Sequence, residues 1–307
     1  MVPRSAGLRL PVLLIQAIVL GLLQGLTEFL PVSSSGHLQG VPYLLGWPSG
    51  SLTFDVMVHA GTLAAVVVYF RGDLAFLATR VTGLGGDHPV TERRLARRTL
   101  VLLAVGSVPA ALAGLLFEDV FAAAFGSVRA VSGFLLVTAF LLWFGERLRT
   151  DRAAAQLGKS VDELDDAERR LDPGRGEDTT TLRDAGVIGV AQALAIFPGI
   201  SRSGSTIAAG MALGLSRAAA ARFSFLLSIP VIVGAVVFKL PDLGTAEPGT
   251  LAFGPLQIAV GVLVAAASGY LAISFLLRLV QSETLLGFAR YVVVFAAVLF
   301  GATFVLG

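Results

Sequence analysis

The sequence predicts an all-α integral membrane protein with six transmembrane helices and two re-entrant helix hairpins, the halves related as an inverted-topology repeat. Three observations carry that expectation. The chain of 307 residues is 55% hydrophobic and 14% charged, against about 25% charged in soluble domains, and its mean hydropathy is +0.81. Several apolar runs approach the roughly 20 residues that cross a bilayer as a helix. Two stretches that place polar groups inside apolar sequence are versions of each other. Gly21-Leu-Leu-Gln-Gly-Leu-Thr-Glu-Phe-Leu-Pro-Val-Ser-Ser-Ser-Gly-His-Leu38 aligns without gaps on Gly189-Val-Ala-Gln-Ala-Leu-Ala-Ile-Phe-Pro-Gly-Ile-Ser-Arg-Ser-Gly-Ser-Thr206. The matches are Gly21/Gly189, Gln24/Gln192, Leu26/Leu194, Phe29/Phe197, Ser33/Ser201, Ser35/Ser203 and Gly36/Gly204.

The elements follow in order. Pro31 and Pro198 interrupt helical hydrogen bonding, and the Ser/Gly clusters behind them favour non-helical backbone. Such backbone is tolerated at membrane depth only when buried in protein or facing a wet cavity. Residues 10–50 and 184–216 are therefore expected to be re-entrant hairpins. Full spans are expected at about 52–70, 99–117, 128–145, 223–240, 254–277 and 288–306. The whole chain, 1–307, reads as one polytopic membrane domain: repeat 1 over about 10–145, repeat 2 over about 184–307, and the polar loop 146–183 between them. The 35 glycines suit close helix approach. Arg4 and Arg9 precede an apolar stretch, but signal-peptide cleavage there would cut into the first polar stretch, so none is expected.

Loop charges orient the chain. Arg71, Arg80, Arg93, Arg94, Arg97 and Arg98 fall in 71–98, and eight further Lys/Arg fall in 146–183. The positive-inside rule places both loops in the cytoplasm. Segments 118–127 and 241–253 would then lie outside, with the first hairpin entering from outside and the second from the cytoplasm. Arg4 and Arg9 on the outer side run against that rule. Within the polar loop, Val161–Leu171 predicts a surface helix of mixed charge, and Asp172-Pro-Gly-Arg-Gly a turn or flexible linker. The loop as a whole reads as a solvated connection.

Composition excludes several chemistries. There is no cysteine, hence no disulfide, thiolate metal site or cysteine nucleophile. The net charge of +2 and pI near 9.3 fit basic cytoplasmic loops and call for no nucleic acid. No HExxH, GxSxG or P-loop pattern is present.

The two repeats differ where chemistry is expected. The first alone carries Glu28 and His37; the second alone carries Arg202. A carboxylate at membrane depth usually faces a cavity and has a task. Gln24 lies one turn before Glu28 on the same helix face and has its counterpart in Gln192, so an architectural role competes with orienting Glu28 or holding a metal with it. Ser33, Ser34, Ser35 and Gly36 offer hydroxyls and amide donors, and a helix restarting near Gly36 would aim its N-terminus at an anion. Ser201, Arg202, Ser203 and Gly204 repeat that cradle with a guanidinium suited to two phosphate oxygens. The partner of Arg202 is either Glu28 or a ligand anion, and the surrounding donors favour the ligand. Phosphoryl transfer needs a nucleophile, an activating base and fixed cations. Ser34 or His37 as nucleophile, the other as proton shuttle, and Glu28 as orienter meet those needs. His59, with Asp55 one turn before it, could line the cavity or be structural. His88 reads as an inert loop residue, and Arg217 and Arg222 as marking the cytoplasmic end of a span. No spacing of ligands marks a metal site, although a divalent ion can bind through diphosphate oxygens and one or two carboxylates.

The stretches 24–37 and 197–206 resemble the two signature motifs of the bacterial undecaprenyl-diphosphate phosphatases, the bacitracin-resistance family. Ser216–Pro230 resembles that family's following helix, and the similarity spans the chain apart from 146–183. The resemblance implies a multi-pass plasma-membrane enzyme that removes the terminal phosphate of undecaprenyl diphosphate at the outer face, recycling the lipid carrier of peptidoglycan synthesis. It implies dependence on a divalent cation, Mg²⁺ or Ca²⁺. Glu28, Ser34, His37 and Arg202 carry over as catalytic, with Ser33, Ser35, Gly36, Ser201, Ser203, Gly204 and Thr206 as phosphate donors. Many members have two glutamates in the first motif; here the first position is Gln24, which weakens a two-carboxylate metal site. The expected partners are the polyprenyl diphosphate and membrane lipids, with self-association as a homo-oligomer left open. The competing reading is a transporter of polyprenyl phosphate, since inverted repeats with broken helices also build transporters. Glu28 and His37 favour chemistry, because carrying an anion needs no nucleophile–base pair.

Overall fold

The computed structural model describes residues 6–48, 51–117, 120, 121, 124, 126–239, 241 and 253–306. Arg4 and most of 118–127 and 241–253, the expected outer segments, lie outside the described residues. The helices are α1 (Ala6–Phe29), α2 (Ser34–Leu45), α3 (Leu52–Tyr69), α4 (Arg71–Thr82), α5 (Val90–Leu116), α6 (Val128–Leu157), α7 (Asp166–Arg170), α8 (Leu182–Leu194), α9 (Arg202–Ala212), α10 (Arg217–Lys239), α11 (Pro255–Leu279) and α12 (Leu286–Ala302). Among the described residues there is no strand, only a single bridge between Arg175 and Leu215.

Among the described residues six helices are long and apolar enough to cross a membrane: α1, α3, α5, α6, α10 and α11. The chain is an all-α, multi-pass membrane protein. The membership of that set differs from the sequence reading in one exchange. α1 has 24 residues, because past Pro11 in its second turn no proline follows until Pro31, whereas α12 has only 17. Residues such as Leu115, Leu116, Leu263, Leu271 and Val294 face outward, as expected where the surrounding solvent is lipid.

Glycines set the packing of the helix pairs. A Cβ on Gly21 would lie 2.6 Å from the Gly261 carbonyl oxygen, and one on Gly189 would lie 2.6 Å from the Gly106 carbonyl oxygen. The duplicated glycine thus makes the same backbone-to-backbone contact twice, α1 on α11 and α8 on α5. Gly25 abuts Gly269 further along, so α1 and α11 run parallel. Ala185 and Gly189 abut Gly106 and Pro109, so α8 and α5 also run parallel. The remaining contacts repeat in the same way: α3 on α11 as α10 on α5, and α9 on α6 as α2 on α12. Gly21→Val and Gly189→Val should each cost about 1–3 kcal/mol by overpacking, while Gly133→Val, with open space at its Cβ, should cost little. Thermal unfolding in detergent measures this, and equal effects at all three sites would contradict the packing described.

The basic segments meet at one end. Arg98 Nη2 donates to the Thr180 carbonyl at 2.6 Å, and Arg222 Nε lies 2.7 Å from Glu177 Oε2. The loop between the halves is less solvated than its composition suggests. α6 continues 12 residues past 145, because Glu146 and Arg149 are buried against Arg217 rather than exposed. Glu146 accepts from Arg217 Nε at 2.8 Å, Arg217 Nη2 at 3.0 Å, Arg149 Nε at 3.0 Å and the Leu285 amide at 2.8 Å. Val161–Leu171 forms two short turns, each closed by a capping box, instead of one helix. Asp172–Gly176 is pinned rather than flexible. The Arg175 amide donates to Gly214 O, the Ser216 amide to Arg175 O, and the Arg217 amide to Asp172 Oδ1. Arg217 marks the start of a long apolar helix, and also anchors that loop.

Candidate functional site

The chain leaves α1 at Phe29, turns through 30–33 and enters α2; it leaves α8 at Leu194, turns through 195–201 and enters α9. Both helices begin with the same device. Ser33 Oγ accepts from the Gly36 amide at 3.2 Å, and Ser201 Oγ accepts from the Gly204 amide at 3.0 Å. An N-cap serine satisfies one of the orphan amides of a helix start, leaving the first amides of each helix without helical acceptors. The two turns touch: the Gly199 amide donates to Ser35 Oγ at 3.2 Å, and Ser203 Oγ donates to the Leu30 carbonyl at 3.0 Å. Thr138 of α6 clasps the second turn, donating to Gly199 O and accepting from the Ser201 amide, both at 2.8 Å. Gly199 has φ 100°, and a Cβ there would meet the Val131 carbonyl at 2.5 Å.

Glu28 stands where the two halves meet. One carboxylate oxygen accepts from Arg202 Nη2 at 2.9 Å. The other accepts from Ser34 Oγ at 2.7 Å and Gln24 Nε2 at 3.1 Å. Arg202 also donates to the Ser224 carbonyl at 3.3 Å, which leaves further guanidinium N–H groups available. Glu28 is 8% exposed and Arg202 13%. Arg202 thus rests on Glu28, one of its two expected partners, with N–H groups left for a ligand anion. A guanidinium this enclosed needs an anion, and Glu28 is within reach.

His37 is not at the carboxylate. It is buried, its Nδ1 lies 2.7 Å from the Ser33 carbonyl and its Nε2 2.8 Å from the Tyr291 hydroxyl. Its ring stacks on Phe295 at 4.2 Å. Both nitrogens are therefore taken, and no contact joins the ring to Ser34 or Glu28. That placement stands against His37 as nucleophile or shuttle. His59 of α3 takes the place near Glu28, with Nε2 3.8 Å from Oε2 and its side chain 35% exposed. Its Nδ1 lies 2.7 Å from the Asp55 carbonyl. A carbonyl only accepts, so Nδ1 carries a proton, and Nε2 is the nitrogen turned toward the site.

Several expected phosphate donors are used in building the turns. Ser33 and Ser201 cap helices, Ser203 holds Leu30, and Thr206 is fully buried against Ser224 at 2.6 Å. Gly36 and Gly204 donate their amides to those caps. Ser34, Ser35 and Arg202 remain partly exposed. Gln24 turns an amide nitrogen, not its oxygen, to Glu28, so it orients the carboxylate rather than offering a metal ligand. Gln192 bonds the Gly106 carbonyl at 3.2 Å and is architectural. Among the described residues no three His, Asp or Glu come together as a metal cage. Glu28, a carboxylate at the meeting point, is already matched by three donors. No step below runs through a divalent ion. His88 lies in an exposed loop against the Leu84 carbonyl.

Residues 17–298 match the family model of bacitracin resistance protein BacA. The chain belongs to the BacA family. Its relatives span nearly its whole length. A protein named undecaprenyl-diphosphatase from Pelobacter propionicus is 42% identical over 281 residues, 91% of this chain and 93% of that protein. One of the same name from Trichlorobacter lovleyi is 43% identical over 282 residues, 91% and 93% of the two. Undecaprenyl-diphosphatase 2 from Stutzerimonas stutzeri is 42% identical over 288 residues, 93% and 97%. The BacA match encloses Gln24, Glu28, Ser34, His37, His59, Arg202 and also Tyr291, whose place beside His37 sequence reasoning missed. Tyr291 sits in an apolar helix 254 positions from His37, and no local spacing signals that pairing. Thr138 was missed for the same reason.

Proposed function

We propose that this chain hydrolyses undecaprenyl diphosphate to the monophosphate and inorganic phosphate in the plasma membrane, returning the lipid carrier to cell-wall synthesis. The observation that carries the reading is the carboxylate of Glu28 held at once by the Ser34 hydroxyl at 2.7 Å and by Arg202 at 2.9 Å. Here a hydroxyl, its base and a cation lie within one shell, as phosphoryl transfer requires. A transporter has no use for the first two. Ser34 Oγ attacks the terminal phosphorus while its proton passes to Glu28. The anhydride P–O bond breaks and its electron pair leaves with the polyprenyl monophosphate. Water then attacks the seryl phosphate, and Ser34 recovers a proton through Glu28. Arg202 and the first amides of α2 and α9 meet the charge on the transferring group. His59 Nε2, turned toward the rim of the same carboxylate, exchanges a proton there. A divalent cation such as Mg²⁺ or Ca²⁺ would arrive on the diphosphate oxygens rather than wait in a protein cage.

The two helix pairs, α1–α2 and α8–α9, act in this reading as re-entrant hairpins of opposite sense. α1 runs parallel to α11, whose end at Leu279 lies near the basic end, and stops at the level of Gly269. At about 1.5 Å per residue that is about 15 Å short of the end of α11. α8 starts beside Thr180 at the basic end and runs away from it. The site would then lie at mid-depth and open to the outer face. Purified protein in detergent, given polyprenyl diphosphate with Mg²⁺ or Ca²⁺, should release inorganic phosphate; an inert but folded preparation would overturn the proposal. His59→Gln should lower kcat by about 10²-fold, the low end for loss of an acid–base group, with KM little changed. A full-rate His59→Gln variant would remove His59 from the mechanism.

A further inference from the structure

We propose that Tyr291 is a positioning residue for the reaction, acting through His37 and Ser33 to hold the Ser34 hydroxyl on Glu28. This rests on the reading of Ser34 and Glu28 given above. The chain of contacts begins with strain. Ser33 has φ 73°, the one described non-glycine residue with positive φ, and such a residue persists only when its surroundings over-determine it. The Ser33 carbonyl receives both the His37 amide at 3.3 Å and His37 Nδ1 at 2.7 Å. Because a carbonyl only accepts, Nδ1 must carry the ring proton, and Nε2 must then accept from the Tyr291 hydroxyl at 2.8 Å. Tyr291 therefore selects the tautomer that can hold Ser33.

The ring has no freedom to do otherwise. His37, Phe295 and Tyr291 lie nearly parallel, within 9° of one another, with His37 4.2 Å from Phe295 and 5.7 Å from Tyr291. The stack ties α12 to the first turn of α2. Ser34, the next residue after the strained one, is aimed at Glu28 by the conformation the stack maintains. Tyr291 is 49% exposed, yet its hydroxyl is turned inward to His37. His37 serves here as a strut, so its loss should lower activity without its ring ever meeting the phosphate.

The test is a double-mutant cycle on the full-length protein in detergent, with farnesyl diphosphate and Mg²⁺ as the probe. Tyr291→Phe removes one oxygen and keeps the ring stack. It should lower kcat about 10-fold with KM unchanged and the unfolding midpoint within a degree or two of wild type. His37→Gln should lower kcat further. Tyr291→Phe added to His37→Gln should then have no additional effect, since coupled residues are not additive. Tyr291→Leu, which also removes the stack, supplies a second entry to the cycle should Tyr291→Phe prove too mild to measure. Full activity in both Tyr291 variants, or additive losses in the double variant, would overturn the positioning role. Full activity in Ser34→Ala would instead overturn the reading of the site on which it rests.

Discussion

Glu28→Gln should abolish nearly all phosphate release, by about 10²–10⁴-fold in kcat, the range for losing a general base. The glutamine keeps the volume and can still accept from Arg202, but cannot take the Ser34 proton. The same change also costs stability, because Arg202 is only 13% exposed and an enclosed guanidinium without its anion is penalised. Activity and stability can be separated. Pairing Glu28→Gln with Arg202→Gln removes both charges, so the unfolding midpoint should recover toward wild type while activity stays absent. A double variant that regained phosphate release would show that the carboxylate and guanidinium are there for folding alone.

The second large effect concerns the basic end. Arg217→Met should destabilise the protein by about 3–5 kcal/mol, the range for breaking a buried ion pair, since it removes two of the four donors on Glu146 and leaves Arg149 as the cation beside it. Arg217 is fully buried and Glu146 is 2% exposed, and Arg217 also donates to the Arg170 carbonyl at 3.1 Å. The cluster joins α6, α10, the loop ahead of α8 and the turn into α12, so its loss should loosen all four. Replacing Glu146, Arg149 and Arg217 together by apolar residues of similar volume should cost less than the single change, since no charge is then held out of water. Thermal unfolding in detergent reads both, and a triple variant less stable than Arg217→Met would count against this account of the cluster.

What was legible in the sequence follows a physical line. The duplicated motif was visible because its work is local: Ser33 and Ser201 each cap the helix three residues on, and Gly21 and Gly189 each remove a side chain at a close crossing. Glu28 and Arg202 stood out because ionisable groups in apolar sequence are costly. The choice between the two histidines was not legible. His37 is adjacent to the serines in sequence, but the turn of α2 carries its ring away from them, while His59 reaches Glu28 only through the packing of α3 beside α1. The contact of Arg202 with Glu28 depends on that same convergence. The length of α6 was hidden because Glu146 and Arg149 look like the start of a solvated loop until Arg217, 71 positions on, is seen to neutralise them. α1 looked too broken to be long because Pro31 follows it closely, yet a proline after the last turn leaves the preceding hydrogen bonds intact.

The most direct measurement is a structure of the protein with a non-hydrolysable polyprenyl diphosphate, its bridging oxygen replaced by methylene. The terminal phosphate should sit within hydrogen-bonding distance of Arg202 and of the first amides of α2 and α9. Ser34 Oγ should face its phosphorus, with Glu28 still holding the hydroxyl. A headgroup bound elsewhere, with Ser34, Glu28 and Arg202 closed on one another and untouched, would contradict the account.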